Sequence, residues 1–283
     1  MSFFAGRVAV LGTKHQKEQV IAPILAEAGI TLTVPPEFDS DCLGTFSREK
    51  PRQASPLITA RQKAALALSQ AGGDLGLASE GSFGPHPQMP MLPANHELVI
   101  LIDPTNHLEL VGEAWSVETN FAHRTVANLG AALEFAEKVG FPTHGLIVMP
   151  QAQPAPTDPI WKGITTAEAL ETALQEALSH SPTGTVHLET DMRAMFNPTR
   201  MQVIAQATQN LLTAIQSPCP RCECPGFTLS ATQPGLPCGW CGGPTGLPKL
   251  GIYRCQQCHW QESRLYPLGL EVADPGQCPY CNP

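Results

Sequence analysis

Residues 74–87 read DLGLASEGSFGPHP, and the fold turns on how this stretch is taken. Leu75 to Ala78 is a short apolar run of the kind that forms a buried strand. It then meets Glu80-Gly81-Ser82-Phe83-Gly84-Pro85-His86, where glycine and proline argue against regular structure. A carboxylate, a hydroxyl and an imidazole are thereby delivered at a strand end. In open α/β sheets ligands bind beyond the carboxyl ends of the strands. The alternative is a polar turn capped by its serine.

Upstream, Val8 to Leu11 reads as a strand that ends at Gly12. Thr13, with Gln16 three residues on, has the form of a capping box opening an amphipathic helix to about Ala28, bent or shortened by Pro23. A strand, a polar turn, a helix N-terminus and the cations Lys14 and Lys17 make a phosphate site, or else a capped helix with a solvated basic first turn. Ile30 to Val34 is a second strand. Asp39 and Asp41 follow on a loop whose oxygens suit Mg2+, or form an ordinary turn pair. Ser55-Pro56 has the N-cap and N1 pattern for a helix to Gly72, with Leu57, Ala60, Ala64 and Leu68 on one face and Arg61 and Lys63 off that stripe.

Downstream, Glu97 to Ile102 and Leu108 to Val117 read as an antiparallel hairpin. Glu118-Thr119-Asn120 is expected to cap a helix reaching about Val139. His144 to Met149 is a strand, Gln151 to Pro159 a linker or surface loop, and Thr165 or Thr166 the cap of a further helix. Thr185 to Leu188 is a strand leading to Glu189, Asp191 and Arg193. Asn197-Pro198 then starts a long helix carrying Arg200. Mixed strands and helices with a hairpin between them indicate an α/β domain with a mixed sheet, over residues 1–216.

Thr13 and Lys17 after a first strand, Ala60-Arg61-Gln62-Lys63-Ala64-Ala65 on a helix, and Asp74 through Glu80-Gly81 together resemble the inosine/xanthosine triphosphatase (ITPase) family. These are Mg2+-dependent nucleoside-triphosphate pyrophosphatases. The hairpin from Glu97 to Val117 and the late Thr199-Arg200 extend the likeness, which covers about Val8 to Val126 and thins over Thr185 to Leu212. The sequence departs from the family at Lys14-His15, where an asparagine is usual, and Thr143 to Pro182 looks inserted. The whole chain also resembles an uncharacterised bacterial family in which such a domain precedes a cysteine-rich tail.

The resemblance implies an ITPase-like fold. It implies that Glu80 holds Mg2+, with Asp39 or Asp41, and that Thr13, Lys14, Lys17, Arg61, Lys63, Ser82 and Arg200 bind phosphate. Catalysis would rest on Glu80, Lys17 and Asp191. Glu189, Asp191, Arg193 and Arg200 have structural ion pairing as their alternative role.

Cysteine usage marks a second unit. Of ten cysteines one, Cys42, precedes residue 218, and nine follow. Cys219/Cys222, Cys238/Cys241, Cys255/Cys258 and Cys278/Cys281 form four CxxC pairs, enough for two tetrahedral S4 sites. Residues 217–283 are expected to form a double zinc ribbon whose last two pairs resemble rubredoxin-like knuckles. Zinc is preferred over iron, in closed structural sites. Consecutive pairing, first with second and third with fourth, is the preferred arrangement, with interleaved pairing open. Cys224 stands outside the set.

Net charge is −8, and the tail balances four basic against four acidic residues, which argues against nucleic acid and an anionic membrane surface. No apolar run is long enough for a membrane span. The N-terminus MSFFAGRVAVLGTKH lacks a secretory pattern because Arg7 interrupts it, so a cytoplasmic location is expected. Two functions remain. One is a Mg2+-dependent phosphoanhydride hydrolase acting on a phosphate or nucleotide ligand. The other is a non-catalytic ligand-binding or scaffold protein whose ribbons recruit a protein or nucleic-acid partner.

Overall fold

The computed structural model describes residues 3–36, 38 and 54–282. Its elements run β1 (Val8–Leu11), α1 (Glu18–Ala26), β2 (Thr31–Thr33), α2 (Pro56–Ala71), β3 (Leu75–Pro85), β4 (Pro93–Asp103), β5 (Leu108–Ser116), β6 (His123–Val126) and α3 (Leu129–Lys138). They continue with β7 (Leu146–Met149), β8 (Trp161–Ile164), α4 (Ala167–His180), β9 (Val186–Thr190), α5 (Pro198–Ile215), β10 (Thr228–Pro234), β11 (Pro248–Arg254) and β12 (Gln261–Leu265). Among the described residues no helix is long and apolar enough to cross a membrane.

The first sheet is mixed, in the order β2-β1-β3-β4-β5, parallel from β2 to β3 and antiparallel from β3 to β5. Its two faces are covered differently. Leu75, Leu77, Val99 and Leu101 meet α1 and α5 through Ile21, Leu25, Ile204 and Leu211. On the opposite face Ala78, Leu98 and Ile100 meet Ala60 and Ala64 of α2. Both helices press close at glycines. A Cβ on Gly112 would lie 2.2 Å from the α5 backbone, and one on Gly76 would lie 2.7 Å from the Ala64 carbonyl.

The second sheet is antiparallel, in the order β6-β9-β7-β8, with α3 and α4 packed on one face through Phe135, Leu170 and Leu174. It is inserted between β5 and α5, so the chain leaves the first sheet and returns to it. The segment expected as an insertion, Thr143 to Pro182, supplies β7, β8 and α4 of this sheet. The third sheet is the antiparallel ribbon β10-β11-β12.

Several expectations are corrected. The stretch Glu80 to Pro85 is not a loop: β3 runs through it for eleven residues, paired in register with β4 from Gly76 to Pro85. Its glycines admit close neighbours, and its proline sits at the strand end, where a missing donor costs least. The expected capping box is also absent. Here α1 starts at Glu18 with no side-chain cap, and the Thr13 hydroxyl instead accepts from the His15 N–H at 3.1 Å. The helix expected from Asn120 begins at Leu129, capped by Asn128, because residues 123–126 pair with β9 as β6. The caps at Ser55, Thr166 and Asn197 are as expected, each side chain accepting from the N–H three residues on.

Candidate metal centres and the buried ion cluster

Two groups of four thiols gather in the tail: Cys219, Cys222, Cys255 and Cys258, and Cys238, Cys241, Cys278 and Cys281, with the sulfurs of each group within 4.8 Å of one another. Sγ–Sγ separations are 3.7 Å for Cys219–Cys258, 3.6 Å for Cys222–Cys255, 3.9 Å for Cys238–Cys281 and 3.7 Å for Cys241–Cys278. A tetrahedral ion with Zn–S bonds of about 2.3 Å has S···S edges of roughly 3.8 Å, so the donor set fits zinc. Backbone N–H groups of Cys241 and Trp240 pull the Cys238 thiol down to about 7, favouring the thiolate that a metal needs.

The pairing is interleaved, first knuckle with third and second with fourth, which corrects the preferred consecutive arrangement. The reason lies in the ribbon. β10 is seven residues long, an extended span of roughly 23 Å. Knuckles at its two ends cannot share an ion. β11 runs back antiparallel to bring Cys255 to Cys219, and β12 runs out again to bring Cys278 to Cys238.

The centres differ in setting. Cys219, Cys224, Phe227 and Cys255 belong to the same apolar core as Leu110, Leu211 and Ile215. Gly226 lies so close to Leu110 that a Cβ would come within 2.4 Å of its methyl. Burial pushes the Cys224 thiol up to about 11, in keeping with a spectator role. At the other centre Trp240 and Tyr280 are largely exposed.

In the α/β part, polar groups converge on Ser79 to Gly81 of β3. The buried Lys17 ammonium donates to the Ser79 carbonyl at 2.9 Å and to its hydroxyl at 3.1 Å. Burial, then the positive charge of Arg200, pushes Lys17 down to about 7, against the opposing pull of Glu97 and Glu80. Arg200 grips Glu97 with two nitrogens, at 2.7 and 3.2 Å, and donates to the Met192 carbonyl. The N-cap Asn197 aims Arg200 by fixing the first turn of α5. Gly81 is required beside this pair, because a Cβ there would lie 2.1 Å from the Glu97 carboxylate. Lys63 donates to Glu80, and both are buried.

Strand register divides this cluster between two faces. Gly81 pairs with Glu97 and Glu80 with Leu98, so Glu97, Arg200, Ser79 and Lys17 lie on the α5 side while Glu80 and Lys63 lie on the α2 side. The three cations Lys17, Lys63 and Arg200 thus face the two carboxylates Glu80 and Glu97 around one short strand segment.

Other expected site residues stand elsewhere. Arg61 pairs with Glu109 at 2.6 Å on the exposed surface. Asp191 is fully buried, held by Arg193 at 2.6 Å and by the Gly163 N–H at 3.0 Å. Glu189 bonds His187 at 3.0 Å on β9. Thr13 is buried and Lys14 exposed in the turn before α1, and Ser82 is half-buried opposite His96 on β4. Asp39, Asp41 and Cys42 lie outside the described residues. Lys63 is not a surface residue off the apolar stripe, because Glu80 draws it inward. Glu97 is the group that pattern reading missed. Its only signal was a carboxylate opening the apolar run ELVILI.

The chain belongs to the DUF6671 family, a domain of unknown function, which matches residues 63–283. That span takes in α2 from Lys63 onward, the α/β sheets from β3 onward and all four CxxC pairs. No curated protein matches the chain.

Proposed function

We propose that this DUF6671 protein is a Mg2+-dependent hydrolase of a phosphoanhydride in a nucleotide-like ligand, with two structural zinc centres in its tail. The observation that carries the reading is the buried cluster around Ser79 to Gly81, where, among the described residues, Lys17, Lys63 and Arg200 outnumber Glu80 and Glu97. Burying this much charge is costly unless a function retains it. An excess of cation beside the turn that opens α1 suits a phosphate-bearing anion. Glu80 is the carboxylate for Mg2+, which takes one or two protein oxygens and completes its shell with water and substrate phosphate. The metal would supply charge stabilisation at phosphorus. Lys63, now on Glu80, would turn to the phosphates.

The second reading, ligand binding without turnover, draws on a specific feature. Both carboxylates of the cluster already hold a cation, and they lie on opposite faces of the sheet. In that case the ribbons would serve as a docking module for a protein partner.

The test is release of phosphate and pyrophosphate from a panel of nucleoside mono-, di- and triphosphates, with Mg2+ present and absent. Metal-dependent turnover supports the hydrolase. Saturable binding of the same nucleotides without any release would favour the second reading.

A further inference from the structure

On the α2 side of the first sheet the strands carry a group of aromatic side chains that the cluster does not use. His96 of β4 lies opposite Ser82 of β3 and opposite Trp115 of β5. The imidazole and the indole are stacked, with centroids 4.1 Å apart and planes 9° from parallel. The Glu113 carboxylate, 3.3 Å from His96 Nε2, holds the imidazole in this position. His86, at the end of the β3–β4 hairpin, meets the indole edge-on at 5.8 Å. Its Nδ1 accepts from the N–H groups of Gln88 and Met89, both at 3.2 Å, which leaves the ring hydrogen on Nε2. Trp115 is 44% exposed. The site is therefore an aromatic face backed on one side by a ring and bordered by a hydrogen-bond donor.

Its position relates it to the ion cluster. Glu80 and Ser82 point to the same face of β3, and His96 and Trp115 continue that face across β4 and β5. Two residues along a strand and two strands across place the indole roughly 12 Å from Glu80. A molecule with phosphates at Lys63 and Glu80 and a ring on Trp115 would lie along one surface of the sheet.

We infer that the Trp115–His96 stack, with His86 beside it, is a subsite for the planar ring of a nucleoside polyphosphate. The inference rests on the anionic site proposed above and extends it. Every base offers a π-face, so stacking alone gives ring binding with little choice among bases. The His86 Nε2–H adds a donor that favours a ring acceptor at its edge.

The test uses the full zinc-loaded chain and isothermal titration calorimetry with two probes, ATP and inorganic tripolyphosphate, which lacks a ring. ATP is expected to bind more tightly than tripolyphosphate. Trp115→Ala should remove that advantage, a loss of about ten-fold or more in ATP affinity, while leaving tripolyphosphate unchanged. Trp115→Phe should restore most of it. The exposed position lets each variant fold, which zinc content and circular dichroism verify. If Trp115→Ala binds ATP as wild type does, the ring sits elsewhere and the inference fails. If neither probe binds, the anionic site fails, and quenching of Trp115 fluorescence by adenosine then decides the subsite by itself. Quenching absent from Trp115→Phe would sustain the subsite, and no quenching in wild type would overturn it.

Discussion

Gln256, within the third CxxC pair, hydrogen-bonds the Glu109 backbone in both directions: its amide nitrogen donates to the carbonyl at 2.8 Å, and its oxygen accepts from the N–H at 3.4 Å. One side chain thus imitates a strand partner at the start of β5 and ties the first metal centre to the α/β core. Gln256→Ala is expected to lower stability by about 1 kcal/mol, read as a shift in the urea midpoint. Trp240→Ala, at a side chain 78% exposed beside the second centre, should leave the midpoint unchanged.

Interleaved pairing makes a stoichiometric prediction. Cys222→Ser with Cys255→Ser removes two ligands of one centre and should leave one zinc per chain. Cys222→Ser with Cys238→Ser strikes both centres and should leave none bound tightly. Consecutive pairing would reverse the two zinc contents, which atomic absorption measures directly.

Loss of the two centres should also differ in consequence. Cys219 and Cys255 are part of the α/β core, whereas the second centre has no residue in that cluster. Disabling the first centre should therefore lower the melting temperature of the α/β signal, and disabling the second should move it little. Differential scanning calorimetry on the same cysteine variants makes the comparison.

The Glu97–Arg200 pair is buried at both ends, with side chains 0% and 1% exposed. Removing one partner strands the other charge, at a cost of about 3–5 kcal/mol. Arg200→Met and Glu97→Gln should each be severely destabilising, and the double variant should fall well short of their sum. A double-mutant cycle in urea gives the coupling; additive losses would contradict the pairing.

Lys17 is held at about 7 against an ordinary value of 10.5, first by burial and then by Arg200. Between those values the unfolded chain keeps a proton that the folded chain has released. Wild type should therefore gain stability relative to Lys17→Met as pH rises through that window, by about 1.4 kcal/mol per pH unit at most. Below about 7 the difference should be flat. Because protonated Lys17 is the form that favours an anion, tripolyphosphate affinity should strengthen as pH falls through 7, and Lys17→Met should remove that dependence.

Much of this architecture was legible from local chemistry. Ser55-Pro56, Thr166 and Asn197-Pro198 marked helix starts because a cap is a short-range device. The CxxC spacing named all eight thiols of the two centres for the same reason. What escaped was set by distant partners. Gly81 and Gly84 looked like loop residues, yet β4 pairs with them, and Gly81 makes room for a carboxylate sixteen positions away. Residues 123–126 looked like a helix start, yet β9 claims them as a strand. Knuckle pairing depended on where β10, β11 and β12 carry their ends. Glu97 hid inside an apolar strand because its partner, Arg200, lies 103 residues on.

The most direct measurement follows a nucleoside triphosphate with Mg2+ by phosphorus-31 NMR, comparing wild type with Glu80→Gln and Lys17→Met. Wild type should convert it to monophosphate and pyrophosphate, or to diphosphate and phosphate, with a loss of at least about a hundred-fold in each variant. An unchanged spectrum with the zinc-loaded wild-type chain, or full turnover by Glu80→Gln, would contradict the hydrolase reading.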